Sequence, residues 1–356
     1  MISERLLSIV RCPDCHGDLA AGPGSGESSP SGSTALVCQG CGRRYPESDG
    51  AFLDLRASAS FAELTKYVDE ALHADARHET VSPPLLSAAI RNDMLRAFLE
   101  PGAGDRVVDL GCGSGRVLVW NQAFGAYQVG IDVTPHFARE ARTGVDLIVG
   151  DLRRLPIADG AFTKAFSLDV AEHLSREGLV EMLGEASRVL VPGGALFVYT
   201  HTRRNSFLAI GLRGINNVAK GLDRIGLISL SQERLRKSDH LNPLSDIADF
   251  RAVAAEAGFT VQRIRYYTPL VGGIVENLIV RLVEGIMSRR ATKLGGAHDG
   301  RDVEGLRAAR LEAKRRIAQR GPVYAGLRAL TWLMQLDILL FGRVESGPFF
   351  ALLIKS

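Results

Sequence analysis

Residues 106–116 read RVVDLGCGSGR. Two apolar positions, Val107 and Val108, form a short strand that ends at Asp109. Gly111, Gly113 and Gly115 follow at alternate positions, and a helix opens behind them. Glycines spaced this way remove Cβ atoms where the backbone must bend sharply, and they let a ligand approach the main chain. The free N–H groups at the helix start then face that ligand. The stretch is the first strand–turn–helix of a nucleotide-type α/β fold.

Around it, strands and helices alternate, the pattern of a parallel sheet with helices on both faces. Upstream, Leu86, Ile90, Met94, Leu95 and Phe98 have helical spacing over 85–99, and Pro101-Gly102 ends that helix. Downstream, strands are expected at 127–131, 145–149, 161–168, 195–199, 259–266 and 349–354. Helices are expected at 115–124, 135–142, 177–190 and 245–257. Pro192-Gly193-Gly194 stops the third of these and Gly258 caps the fourth.

Ligands of open α/β sheets sit outside the carboxyl ends of the strands. Four features fall there: the glycine turn, Asp132, Gly150-Asp151-Leu152, and the run from Asp169 to His173. Asp132 lies 23 residues after Asp109, placed to accept from two ribose hydroxyls. Asp151 and Leu152 offer a carboxylate to an adenine amine and an apolar side chain to its face. Asp109 can accept from an ammonium or hold the turn in shape. A dinucleotide fingerprint spaces its glycines GxGxxG and cradles a pyrophosphate. Here the spacing is DxGxGxG with a second acid for an adenine. That set fits S-adenosylmethionine (SAM), which has an ammonium, a ribose and an adenine but no phosphate.

VVDLGCGSG, VGIDVTP, VGDLRRLPIADGAF, SLDVAEHL and EASRVLVPGGALFV together closely resemble class I SAM-dependent methyltransferases of type 11, over residues 85–267 and the final strand. The resemblance implies a Rossmann-like, seven-stranded α/β sheet. It carries Gly111, Gly113 and Gly115 over as the turn above the methionine moiety, beside Asp109. Asp132 is carried over as the ribose ligand and Asp151 with Leu152 as adenine contacts; Val133 would pack on the adenine's other face. Asp169 joins this set as the acid ending the fourth strand. Cys112 reads as a small buried apolar residue.

Nearer the N-terminus, Cys12-Pro-Asp-Cys15 and Cys38-Gln-Gly-Cys41 are two CxxC knuckles with 22 residues between them. Such a pair supplies four thiolates to a tetrahedral Zn²⁺, and a site closed by four cysteines is structural rather than catalytic. LLSIVRCPDC and ALVCQGCGRRYPESDGAFLDL resemble the small zinc-binding partner protein that activates tRNA, rRNA and release-factor methyltransferases. The expected organisation is a zinc ribbon over 1–56, a linker helix over 57–84 with Ser60 as its N-cap, and a methyltransferase domain over 85–356. The Gly/Ser/Pro loop over 21–34 carries no readable chemistry.

The acceptor is less legible. Leu168-Asp169-Val170-Ala171-Glu172-His173 stands where nucleobase amino-methyltransferases often carry an Asn/Asp-Pro-Pro-aromatic motif, and it resembles the form in enzymes acting on quinones, lipids and other small molecules. Candidate catalytic bases are His240, in a segment resembling the family's substrate-side loop, His201, directly after the fifth strand, and His173, which also reads as a capping or packing residue. Phenol-like nucleophiles need no strong base. Helical insertions at 203–243 and 268–347 depart from the minimal fold; the second contains a basic stretch over 289–320. They read either as a lid or as an apolar, basic-rimmed surface making peripheral contact with a membrane.

Composition sets the outer bounds. The 356 residues are 46% hydrophobic and 23% charged, which is globular, and a net charge of +3 is too small to imply nucleic-acid binding by itself. No secretory signal is read and no uncharged apolar run reaches about 18 residues. The expectation is therefore a cytoplasmic methyltransferase acting on a hydrophobic or lipid-like acceptor, at most peripheral to the membrane on the cytoplasmic side. The alternative is an rRNA or tRNA methyltransferase using its ribbon for RNA or partner recognition. A SAM-binding scaffold whose ribbon recruits a partner is the non-enzymatic third.

Overall fold

The computed structural model describes residues 2–22, 35–45, 51–58, 81–203, 209–225, 228, 240–267, 270–275, 279 and 321–356. Nearly all of the loop over 21–34, most of the linker helix over 57–84 including Ser60, and the basic stretch over 289–320 lie outside these residues.

The chain begins with α1 (Glu4–Ile9), whose N-cap Ser3 accepts from Leu6 N. β1 (Leu19–Ala21), β2 (Leu36–Cys38) and β3 (Arg44–Tyr45) then pair as a small antiparallel sheet. β4 (Leu53–Asp54) follows, and α2 (Ser87–Leu99) leads into β5 (Arg106–Leu110). Beyond β5 come α3 (Arg116–Asn121), β6 (Tyr127–Asp132), α4 (Arg139–Gly144), β7 (Asp146–Val149), β8 (Phe162–Leu168), α5 (Arg176–Val189) and β9 (Leu190–His201). The C-terminal part holds α6 (Ala209–Arg224), α7 (Ile247–Glu256), β10 (Phe259–Tyr266), α8 (Leu270–Ile274), α9 (Pro322–Phe341) and β11 (Pro348–Lys355).

The large sheet has the order β10-β11-β9-β8-β5-β6-β7-β4. From β5 the chain moves outward to β6 and β7 on one side and to β8 and β9 on the other. That reversal opens a crevice at the carboxyl end of β5. Val107, Val108 and Leu110 are buried on alternate faces, as a strand covered by helices on both sides requires. β11 is antiparallel to both β9 and β10, so β9 and β10 run the same way. The insertions after His201 and after Tyr266 therefore both leave from the crevice side of the sheet.

Three elements differ from expectation. The helix foreseen at 135–142 starts only at Arg139, because Ala138 is extended and its N–H donates to Ser114 O, holding the preceding residues against the glycine turn. The strand foreseen at 195–199 runs from Leu190, with the Pro-Gly-Gly segment as an irregularity inside it: Phe162 faces Leu190, Lys164 faces Ala195, and Gly193 has φ +73°. The third difference is at the edge. β4 pairs in parallel with β7, Leu53 opposite Ile148 and Asp54 opposite Val149, so the seven-stranded core carries an eighth strand from the N-terminal region.

That region is built into the larger domain. Leu6, Val10, Tyr45, Leu53 and Leu55 share one apolar core with Ile148, Leu155 and Ile157. Each such buried side chain contributes about 2 kcal/mol. Polar contacts fix the orientation: Arg11 N donates to Pro156 O (2.9 Å), Ala158 N to Ile9 O (2.8 Å), and Ser3 N to Asp146 Oδ1 (3.2 Å).

α9 packs one face inward. Met334 is buried, Thr331 Oγ1 accepts from Leu86 N (2.9 Å), and the buried Asp337 accepts from Val271 N at the start of α8 (2.6 Å). Val323, Trp332, Leu333, Leu339 and Leu340 face outward. Although Arg328 and Asp337 interrupt it, this helix is long and apolar enough to cross a membrane by length and composition.

Candidate functional site

The glycine turn has the backbone its sequence demands. Gly111, Gly113 and Gly115 all have positive φ, +86°, +54° and +75°. A Cβ at Gly111 would run into Val170 Cγ2, so that position is closed by packing as well as by conformation. A Cβ at Gly113 would meet nothing within 4 Å, so the middle of the turn faces open space. Gly111 N and Cys112 N both donate to Ile131 O (2.9 and 3.0 Å), which ties the turn to the end of β6.

Asp132 completes that tie. Its Oδ2 accepts from Gly113 N (2.7 Å) and its Oδ1 from Thr134 N and Oγ1 (both 3.0 Å). Burial pushes its carboxyl up, against the pull of those amide donors. Asp109 lies behind the turn, 2% exposed, and among the described residues no donor reaches its carboxylate. Burial holds its carboxyl well above the usual range, the charge of Asp132 adds to that, and Arg116 opposes it. A buried carboxylate, Asp109, and a half-buried one, Asp132, beside an open glycine turn make a cation-seeking cradle.

Asp151 and Leu152 stand just past the end of β7, with Gly150 N donating to Asp132 O (2.8 Å). The Asp151 carboxylate is held by Arg153 (2.7 Å from Nη2) and by Arg153 N (2.9 Å). Leu152 is buried, and Val133 follows Asp132 at the end of β6. Asp169 lies on the far side of the turn. It has φ +57° and is ion-paired with Arg91 of α2, which sits 5.3 Å from the Tyr199 ring centroid.

The three candidate bases converge. The His240 ring lies 4.7 Å from that of His173 and 5.5 Å from that of His201. Glu172, which sequence reading passed over, sits among them, 2% exposed. Its Oε2 accepts from Thr200 Oγ1 (3.2 Å) and its Oε1 lies 4.0 Å from His201 Nε2. Burial first, then the charge of Asp169, pushes its carboxyl up to about 8. Leu241 N and Asn242 N both donate to Glu172 O (2.8 and 3.1 Å), clamping the His240 segment onto the turn after β8. The other residue missed is Arg91. A carboxylate next to His173 at a strand end was the available signal for the first; nothing local marks the second.

At the sheet edge, Cys12, Cys15, Cys38 and Cys41 bring their sulfurs within 4.8 Å of one another, and none forms a disulfide. Cys12–Cys41 is 3.7 Å and Cys15–Cys38 is 3.4 Å, against about 3.8 Å between thiolates around a tetrahedral zinc. Gly40 N and Cys41 N point at Cys38 Sγ (both 3.4 Å), and Tyr45 Oη lies 3.1 Å from Cys12 Sγ. The donor set fits a zinc ion.

Residues 108–198 match the family described as Methyltransferase domain, and residues 3–50 match Trm112p-like protein. The chain carries a class I SAM-dependent methyltransferase domain of Rossmann-like fold, preceded by a Trm112p-like region built on a four-cysteine cluster. Probable tRNA methyltransferase 9B of Bos taurus is 34% identical over 108 residues, 30% of this chain and 23% of that protein. Ubiquinone biosynthesis O-methyltransferase of Azorhizobium caulinodans is 30% identical over 154 residues, 40% of this chain and 60% of that protein. The solved phosphoethanolamine N-methyltransferase 2 of Haemonchus contortus, in complex with SAM, is 15% identical with a TM-score of 0.45, covering 83% of this chain and 59% of that one. The chain thus spans between 23% and 60% of the length of these two curated relatives.

Proposed function

We propose that this chain transfers a methyl group from SAM to a small hydrophobic or lipid-like acceptor. The observation that carries the cofactor half is Asp109: a carboxylate 2% exposed, with no donor among the described residues, beside a glycine turn that faces open space. Bound SAM supplies an electrophilic methyl on a sulfonium. Gly111 and Gly115 let the turn bend tightly against its own core, Gly113 leaves room for the methionine moiety, and Asp109 offers its ammonium a charge partner. Asp132 keeps the turn in shape through Gly113 N while presenting its remaining lone pairs to the ribose hydroxyls. Asp151 and Leu152 meet the adenine from the end of β7, and Val133 packs on its other face. Asp169, pinned by Arg91, closes the turn toward the acceptor. In-line transfer needs the acceptor opposite the sulfur, on the side where Glu172, His173, His201 and His240 gather. His201 is the group there that takes up an acceptor proton; His173 and His240 pack edge-on against each other beside it.

The small-acceptor half is supported by the insertions. α6, α8 and α9 form a helical layer arising from the crevice side, and the inward Asp337, Met334 and Thr331 favour a lid. The outward apolar face of α9 is the feature that would meet a membrane peripherally, with the protein on the cytoplasmic side. The ribbon holds one structural zinc. The discriminating experiment incubates the full chain with methyl-labelled SAM and separated lysate fractions. Label in the organic-solvent extract is the expected result. Label in RNA would favour the second reading, which the likeness to a tRNA methyltransferase supports. Label in no fraction would leave a SAM-binding scaffold.

A further inference from the structure

Two groupings of metal-ligating side chains occur among the described residues: the four cysteines, and Glu172 with His173 and His240. The second brings one carboxylate oxygen and two imidazole nitrogens to within 4.8 Å of one another. Two imidazoles and one carboxylate are a donor set for a divalent first-row transition ion, with coordination positions left open. Ligands at about 2.1 Å stand roughly 3.0–3.4 Å apart around such an ion. Contraction to that spacing is within the reach of side-chain rotation, because the backbone beneath is already clamped by the Leu241 and Asn242 amides on Glu172 O.

The burial of Glu172 strengthens the case. A carboxylate 2% exposed is stable only when a proton or a cation neutralises it, and the side chain that donates to it among the described residues, Thr200, is neutral. His201 Nε2, 4.0 Å from Glu172 Oε1, stands where it can accept a proton from a bound acceptor.

We propose that Glu172, His173 and His240 form a second metal centre, for a divalent transition ion, whose open positions bind an oxygen-bearing acceptor. This deepens the methyltransferase reading, since the centre lies on the acceptor side of the glycine turn. Metal binding itself stands or falls separately from methyl transfer. The ion fixes the acceptor oxygen and lowers the pKa of a bound hydroxyl, which gives its proton to His201.

Cobalt(II) added to the full chain carrying a single equivalent of zinc, held by the four cysteines, is the test. One additional Co²⁺ per chain is expected, with weak d–d absorption and no thiolate-to-cobalt charge transfer, which would report exchange at the ribbon instead. Glu172→Gln keeps the side-chain shape and His240→Ala removes a partly exposed ring; each should weaken Co²⁺ binding at least about 100-fold. Absence of the d–d bands in the parent protein overturns the proposal, as does unchanged affinity in both variants. Co²⁺ binding without methyl transfer to any acceptor would leave the metal centre standing and sink the enzymatic reading.

Discussion

Asp109→Asn isolates the charge on which the cofactor reading rests. The parent carboxylate is 2% exposed, lies near Asp132, and has only Arg116 to oppose its protonation. Its folded pKa is therefore raised above the reference value of 3.8. A raised acid binds more protons folded than unfolded. Its penalty is absent below about pH 4 and grows as pH climbs from there toward the folded pKa. The SAM-free parent should lose stability over that window, and the Asn variant should lose that part of the slope. Cofactor binding reverses the balance, because an ammonium partner offsets the buried charge. Removing one member of a buried charge pair costs about 3 kcal/mol or more, so SAM affinity at pH 7 should fall roughly 150-fold or further. Titration calorimetry gives the affinity, and thermal melts across pH give the slope. SAM binding within threefold of the parent, or identical pH slopes without SAM, would refute the assignment of Asp109 to the cofactor's cation.

Two further outcomes test the scaffold. Gly111→Ala places a Cβ at φ +86° and drives it into Val170; the conformation alone costs about 1–2 kcal/mol, so Tm should fall by about 2 °C from that strain and further from the clash, and SAM should bind more weakly, whereas an unchanged melt and affinity would show that the turn relaxes freely. The purified chain should hold one zinc, and because Leu6, Leu53 and Leu55 pack in the same core as Ile148 and Ile157, chelation should lower the melting of the whole chain in a single transition; a separate ribbon transition with the main one unmoved would mean that the shared core is not cooperative.

The sheet was legible because its strands read as short, largely buried runs, those of β5 to β8 each ending in an acid or a glycine at the crevice. β5 through β8 fall within a residue of their expected bounds, and the cysteine spacing announced a cluster that the fold assembles. What stayed hidden depends on long-range packing. Residues 135–138 carry helix-compatible side chains, yet they stay outside the helix, with Ala138 extended and its N–H bonded to Ser114 O. The pairing of β4 with β7 has no local signal, since two residues, Leu53 and Asp54, are too few to show a period. Glu172 stood beside a residue already under suspicion, but burial, which gives it its character, is a property of the closed fold. Arg91 reaches Asp169 across 78 positions of sequence, a separation that no reading of a helix in isolation spans.

The added strand bears on how the two ends of the chain cooperate. Leu55 N donates to Val149 O (2.9 Å), the last residue of β7 before Gly150 and Asp151. Gly150 N in turn donates to Asp132 O, and Asp132 Oδ2 holds Gly113 N. A run of backbone and carboxylate hydrogen bonds therefore leads from Leu55, just past β4, through the edge of the sheet to the middle of the glycine turn. β7 without β4 would be an exposed edge whose end carries the proposed adenine contacts, and edges fray more readily than paired strands. The N-terminal region thus has a physical role that requires no contact with any acceptor: it makes the third strand of the cofactor crevice an interior strand. On this argument its four cysteines would stabilise the proposed adenine end of the pocket, while the proposed acceptor side lies at the opposite end, where α2 and the His240 segment meet the turn after β8.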